Sequence, residues 1–105
     1  TTAKEFSNFI SQHKYVVVKV TADWCGPCKR IKPLCINQIQ QLPIEVAIVI
    51  VDISKPNSLK NYLKIGSVPY MMSVINGDRT DIINTSEPNA IINFFAKTAR
   101  RVTEQ

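Results

Sequence analysis

Histidine and cysteine are scarce in these 105 residues, which hold one histidine and three cysteines. Three unevenly spaced cysteines do not make a secreted disulfide scaffold, and an odd number leaves at least one thiol free. That fits a reducing compartment, and a cytoplasmic location is expected. A structural zinc centre wants four ligands. Besides Cys25 and Cys28 the chain offers only Cys35, about two helical turns further on, and His13, with no ligand paired to it. No metal site is expected. No apolar run approaches the roughly 18 residues of a membrane span, and 46–51 has only strand length. The opening residues, Thr1 to Glu5, are polar, and no signal peptide is read in them. Repeats and low-complexity tracts are lacking too. The net charge of +5 favours acidic contacts. However, no aromatic residues alternate with the basic clusters Lys29-Arg30-x-Lys32 and Arg100-Arg101, as single-strand binding would want. The charge therefore reads as a solvated basic surface, with no nucleic-acid partner and no membrane contact.

What remains is one domain over residues 1–105, 45% apolar and so able to bury a single core. Thr2-x-x-Glu5 has capping-box spacing, and Phe6, Phe9 and Ile10 follow on one helical stripe. A strand rich in β-branched residues covers 15–20, apolar enough to be buried on both faces. A helix follows over 28–42, with Pro33 inside it as a kink and Pro43 at its end. A second buried strand is predicted over 46–53. Pro56-Asn57-Ser58 opens a short helix that turns Leu59, Tyr62 and Leu63 inward, and Gly66 breaks it. A third strand covers 69–75, Asn76-Gly77 is a strong hairpin signal, and 81–84 returns antiparallel. Ser86 caps the last helix, Pro88 sits in its first turn, and Ile91, Phe94, Phe95 and Thr98 or Ala99 face inward. The order α-β-α-β-α-β-β-α predicts an α/β fold, a central mixed β-sheet flanked by helices on both faces.

The chemistry concentrates at Trp24-Cys25-Gly26-Pro27-Cys28-Lys29, where a buried strand meets a helix. A C-x-x-C there suggests redox work. Cys25 falls just before the helix and faces backbone N–H groups without partners. Those donors and the helix dipole favour its thiolate, which makes Cys25 the nucleophile. Cys28, one turn further in, is placed to resolve a mixed disulfide, and Gly26 and Pro27 restrict the turn between them. A purely structural thiol pair is the competing reading.

The six-residue segment resembles the active-site motif of the thioredoxin family. The likeness extends further: Pro33 matches that family's helix-kinking proline, Val68-Pro69 its cis-proline segment and Asn76-Gly77 its hairpin. The element order agrees along the chain, apart from a short first strand that is missing or truncated here. The resemblance implies a thioredoxin fold and a protein-disulfide reductase whose redox centre is the Cys25–Cys28 pair, with no cofactor. It implies that Pro69 is cis, that the Val68 backbone offers strand-like hydrogen bonds to an extended substrate, and that Trp24 shields the disulfide and docks partners. It further implies disulfide-containing protein substrates, a thioredoxin-reductase-like flavoenzyme as electron donor, and a monomer.

The chain departs from the family at Lys19. Thioredoxins carry a buried aspartate six residues before the nucleophile, with a lysine partner that here falls at Ile48, counted back from Asp52. Lys19 has three readings: a charge that favours thiolates and makes the disulfide more oxidising, a base with a lowered pKa, or a bystander reaching water or an acid such as Glu45. Thr85 replaces a family glycine near the docking surface, Tyr70 replaces a smaller residue, and Cys35 reads as a core thiol. Two other functions stay open: an oxidase or isomerase tuned by Lys19, and a thioredoxin-fold binding module with slow turnover.

Overall fold

The computed structural model describes residues 3–56 and 59–104. Strand β1 (Tyr15–Thr21) is central in a sheet ordered β2-β1-β3-β4. It pairs in parallel with β2 (Val46–Asp52) and antiparallel with β3 (Tyr70–Ile75), which pairs antiparallel with β4 (Asp78–Ile83). Because strand side chains alternate between faces, β1 feeds two cores. Tyr15 and Val17 pack with Ile31 and Cys35 of α2 (Gly26–Gln40) and with Ile91, Phe94 and Phe95 of α4 (Pro88–Thr103). Val16, Val18 and Val20 pack on the other face with Phe6 of α1 (Ala3–Gln12) and Leu59 of α3 (Leu59–Tyr62). This double burial explains why β1 is apolar on both faces save for Lys19, and the predicted mixed sheet with helices on both faces is the observed one.

Several details depart from the sequence reading. The strand over 46–53 is not buried on both faces: β2 is the sheet edge, with Ile50 55% exposed and Ile48 and Val49 half-buried. Helix α2 begins at Gly26 rather than 28, because Cys25 caps it. Tyr62 points outward and lays its ring edge-to-face against Phe6. A single helical turn brings only Leu59 and Leu63, four apart, inward. The chain leaves α3 at Lys64 rather than Gly66: Lys64 adopts a left-handed φ of 58°, and the Ile65 N–H closes onto the Lys60 carbonyl at 3.0 Å. Strand β4 starts three residues earlier than read, because Asn76 and Gly77, both at positive φ, make a two-residue turn and pairing resumes at Ile75–Asp78. Glu87, not Ser86, is the N-cap of α4, with no side-chain capping bond. The Thr85 hydroxyl instead accepts the Glu87 N–H, and Ser86 accepts from Arg30. The capping role of Thr2 and the helix opening at Asn57 and Ser58 fall outside the described residues.

One polar contact lies inside the α2/α4 core. The hydroxyls of Ser73 (β3) and Thr98 (α4) meet at 2.6 Å, and Thr98 also bonds the Phe94 carbonyl at 3.1 Å. Thr98 therefore donates to Phe94 and accepts from Ser73. Losing Ser73 removes one bond and leaves Thr98 satisfied, whereas losing Thr98 leaves a buried Ser73 hydroxyl with nothing to bond. Ser73→Ala should thus cost about 1 kcal/mol and Thr98→Val about 2 kcal/mol by urea denaturation. The double variant should lose less than the sum of the two; equal costs or strict additivity would contradict this donor–acceptor order.

Candidate active site

Strand β1 delivers the site. Beyond Thr21, whose carbonyl accepts the Ile53 N–H at 2.9 Å, the Cys25 N–H turns back onto the Ala22 carbonyl at 3.1 Å. Asp23 donates its N–H to the Ser54 hydroxyl. Ser54 in turn donates its N–H, at 2.9 Å, and its hydroxyl to Asp52. Those two bonds hold the Asp52 carboxyl below the usual carboxylate range and fasten the turn after β2 to the turn before α2.

Cys25 is the N-cap of α2, with extended backbone, and its sulfur accepts the Cys28 N–H at 3.1 Å. Pro27 stands in the first turn, where a missing N–H costs nothing. Cys25 and Cys28 are joined as a disulfide across a Cα–Cα distance of 5.3 Å, within the ordinary range. The restriction that keeps the sulfurs together comes from the cap and Pro27 rather than from Gly26: a Cβ on Gly26 would meet nothing, and its φ is not in the left-handed region. Both cysteines are buried, packed with Ala22, Ile53 and Val68. Trp24, immediately before them, is 69% exposed, so it is not a core tryptophan. Lys29 is exposed one residue beyond Cys28.

The Val68–Pro69 peptide is cis, Val68 packs against the disulfide cluster, and Pro69 is buried. Thr85 lies half-buried in a groove shared with Arg30, Ile31, Leu34 and Ser86. Asn84 escaped the sequence reading. It donates to the carbonyls of Pro69 (2.8 Å) and Ser67 (3.2 Å) and accepts from the Ser67 hydroxyl at 2.8 Å. An asparagine after a strand reads only as a turn residue, and no local spacing points to its partner 15 residues away.

Lys19 sits mid-strand between Ile50 and Met71, 7% exposed, on the face that α2 covers. No ion pair to Glu45 forms: among the described residues the one salt bridge joins Arg101 and Asp81. No buried side-chain nitrogen or oxygen among them lacks a partner, so the Lys19 ammonium, which bonds to no side chain, keeps a thread of contact with water. Its charge reaches Cys35, which is fully buried and unpaired. Burial pushes that thiol up, and Lys19 offsets part of the rise. His13 bonds the Phe9 carbonyl through Nδ1 at 2.9 Å and stacks on the Phe9 ring. No group of metal-ligating side chains forms among the described residues.

In the fully reduced protein, iodoacetamide near neutral pH should label Cys25 and spare Cys35, which should react only after unfolding. Peptide mapping by mass spectrometry checks this; Cys35 labelling in the folded protein would contradict its enclosure.

Known proteins carry the same frame. The thioredoxin family profile matches residues 1–97. Thioredoxin 1 of Plasmodium falciparum is 29% identical over 99 residues, covering 94% of each chain. Thioredoxin-1 of Saccharomyces cerevisiae is 31% identical over 98 residues, covering 93% of this chain and 94% of its own. A solved structure of Plasmodium falciparum thioredoxin superposes with a TM-score of 0.82 at 30% identity, over 92% of this chain and 94% of that one. The chain belongs to the thioredoxin family, and its chemistry is dithiol–disulfide exchange at Cys25 and Cys28.

Proposed function

We propose that this exchange runs in the reductive direction on protein disulfides. The Cys25 thiolate attacks one sulfur of a substrate disulfide, forming a mixed disulfide and releasing the other sulfur as a thiolate that takes a proton from water. Cys28 gives its proton to water and then attacks the Cys25 sulfur as a thiolate. The second substrate thiol leaves, Cys25–Cys28 closes, and two electrons have passed to the substrate. A two-electron donor must reopen the disulfide, and a flavoenzyme of the thioredoxin-reductase kind is the proposed one. The protein would act as a monomer in a reducing compartment such as the cytoplasm, a setting supported by the unpaired Cys35. The observation that carries the reading is the Cys25 sulfur capping α2 and accepting the Cys28 N–H. That contact strengthens when the sulfur is a thiolate. Exposed Trp24 beside the buried pair supports docking of a macromolecule.

The test is insulin reduction by dithiothreitol, which the protein should accelerate and Cys25→Ser should not. Cys28→Ser should accumulate mixed disulfides with substrate proteins. Should none accumulate, while partners still bind a Cys25→Ser/Cys28→Ser variant, the binding-module reading would replace this one.

A second reading rests on Lys19. A buried ammonium with no counter-charge beneath the dithiol's helix favours thiolates, and hence the reduced form, over the neutral disulfide. That would make the protein a better oxidant. In glutathione buffers, Lys19→Met should shift the equilibrium toward the disulfide by about tenfold, roughly 30 mV. An unchanged equilibrium would make Lys19 a bystander and remove this support for oxidase or isomerase work.

A further inference from the structure

Three hydrogen bonds converge on one side chain beside the redox site. The Asn84 carboxamide meets the carbonyls of Ser67 and Pro69 and the hydroxyl of Ser67. Its orientation is not in doubt: two carbonyls can only accept, so the NH₂ faces them and the oxygen faces the Ser67 hydroxyl. The position explains the need. The β3–β4 ladder makes its last pair at Met71–Ile83, and Pro69 has no N–H with which to extend it. Asn84, one residue past that pair, reaches back with its side chain and donates to the Pro69 carbonyl beyond the end of the ladder. It thereby grips the residues on either side of Val68, which packs on the disulfide cluster. On its own C-terminal side it leads directly into Thr85, which lines the groove with Arg30.

We propose that Asn84 is a positioning residue, which fixes the Ser67–Pro69 segment relative to Thr85 and so sets the geometry of the surface on which a substrate chain lies. For what that surface carries, the proposal rests on the reductase reading above. Val68 contributes backbone to this surface, and a backbone that must pair with an extended segment is useful only when held still. The clamp touches neither sulfur. Its loss should therefore weaken capture of protein substrates and spare the chemistry of the dithiol itself.

The experiment compares the unaltered protein with Asn84→Ala and with the near-isosteric Asn84→Asp, which keeps the shape but loses both donors. Thermal melting checks that each variant is folded. In dithiothreitol-driven reduction, KM for insulin should rise about five- to tenfold, the loss expected for one or two net hydrogen bonds, with kcat little changed. Reduction of the small disulfide hydroxyethyl disulfide, which needs no extended docking, and the glutathione equilibrium should stay as in the unaltered protein. By NMR relaxation the Val68 amide should fall from the rigid range, an order parameter of about 0.85, toward the flexible range below about 0.6. Equal insulin KM in all three proteins, or a Val68 amide as rigid without Asn84 as with it, overturns the proposal. A parallel loss on the small disulfide overturns it as well, since the effect would then lie in the dithiol. If the unaltered protein reduces neither disulfide, the reductase reading fails by itself, and the order parameter still decides whether Asn84 is a clamp.

Discussion

The Cys28 N–H lies in the first turn of α2, where no carbonyl of the helix is available to it, and the Cys25 sulfur takes that place at 3.1 Å. Much of the surrounding architecture holds this contact in register. Cys25 must leave β1 by a tight turn, which the Ala22 carbonyl closes. The turn must not drift, and Ser54 ties it to the end of β2. Pro27 then commits the chain to helix immediately after the cap. A helix that starts there lies over the odd-numbered face of β1, so Cys28, Ile31 and Cys35 point down into the core while Lys29 and Arg30 stay in water.

What could be read in the sequence was what local chemistry decides. The C-x-x-C at a strand–helix junction, the double-sided burial of β1, the inward faces of α2 and α4, and the Asn76-Gly77 turn all depend on residues a few positions apart. The resemblance to a known family added the cis Val68–Pro69 peptide. What failed depended on neighbours far along the chain. Val46 to Val51 is apolar enough for a central strand, and composition cannot say that the sheet ends there; only the strand order β2-β1-β3-β4 does. Tyr62 lies on the right stripe to face inward, yet its helix is a single turn and its ring finds Phe6 instead. Asn84 finds partners at 67 and 69 that no periodicity connects to it. Ser86 had the chemistry of a cap, but its hydroxyl is turned toward Arg30.

Lys19 and the Ser73–Thr98 pair show two ways of placing polarity in a core. The hydroxyls satisfy each other and the Phe94 carbonyl, so their burial is compensated by hydrogen bonding. Lys19, on the central strand, finds no such partner; on one side it neighbours Ile50 of the edge strand β2, which is exposed. Beside an edge strand, a long lysine side chain can carry its ammonium toward water.

The two-residue hairpin at Asn76 and Gly77 has a practical meaning. β1 runs from Tyr15 toward the cysteines, and Asn76 bonds the Lys14 carbonyl at its opposite end, so the hairpin stands roughly 20 Å of strand away from the disulfide. A fluorophore, affinity handle or surface anchor attached at that tip would face away from the sulfurs. The protein immobilised there would present Trp24 and its redox centre outward, ready for contact with whatever is offered in solution.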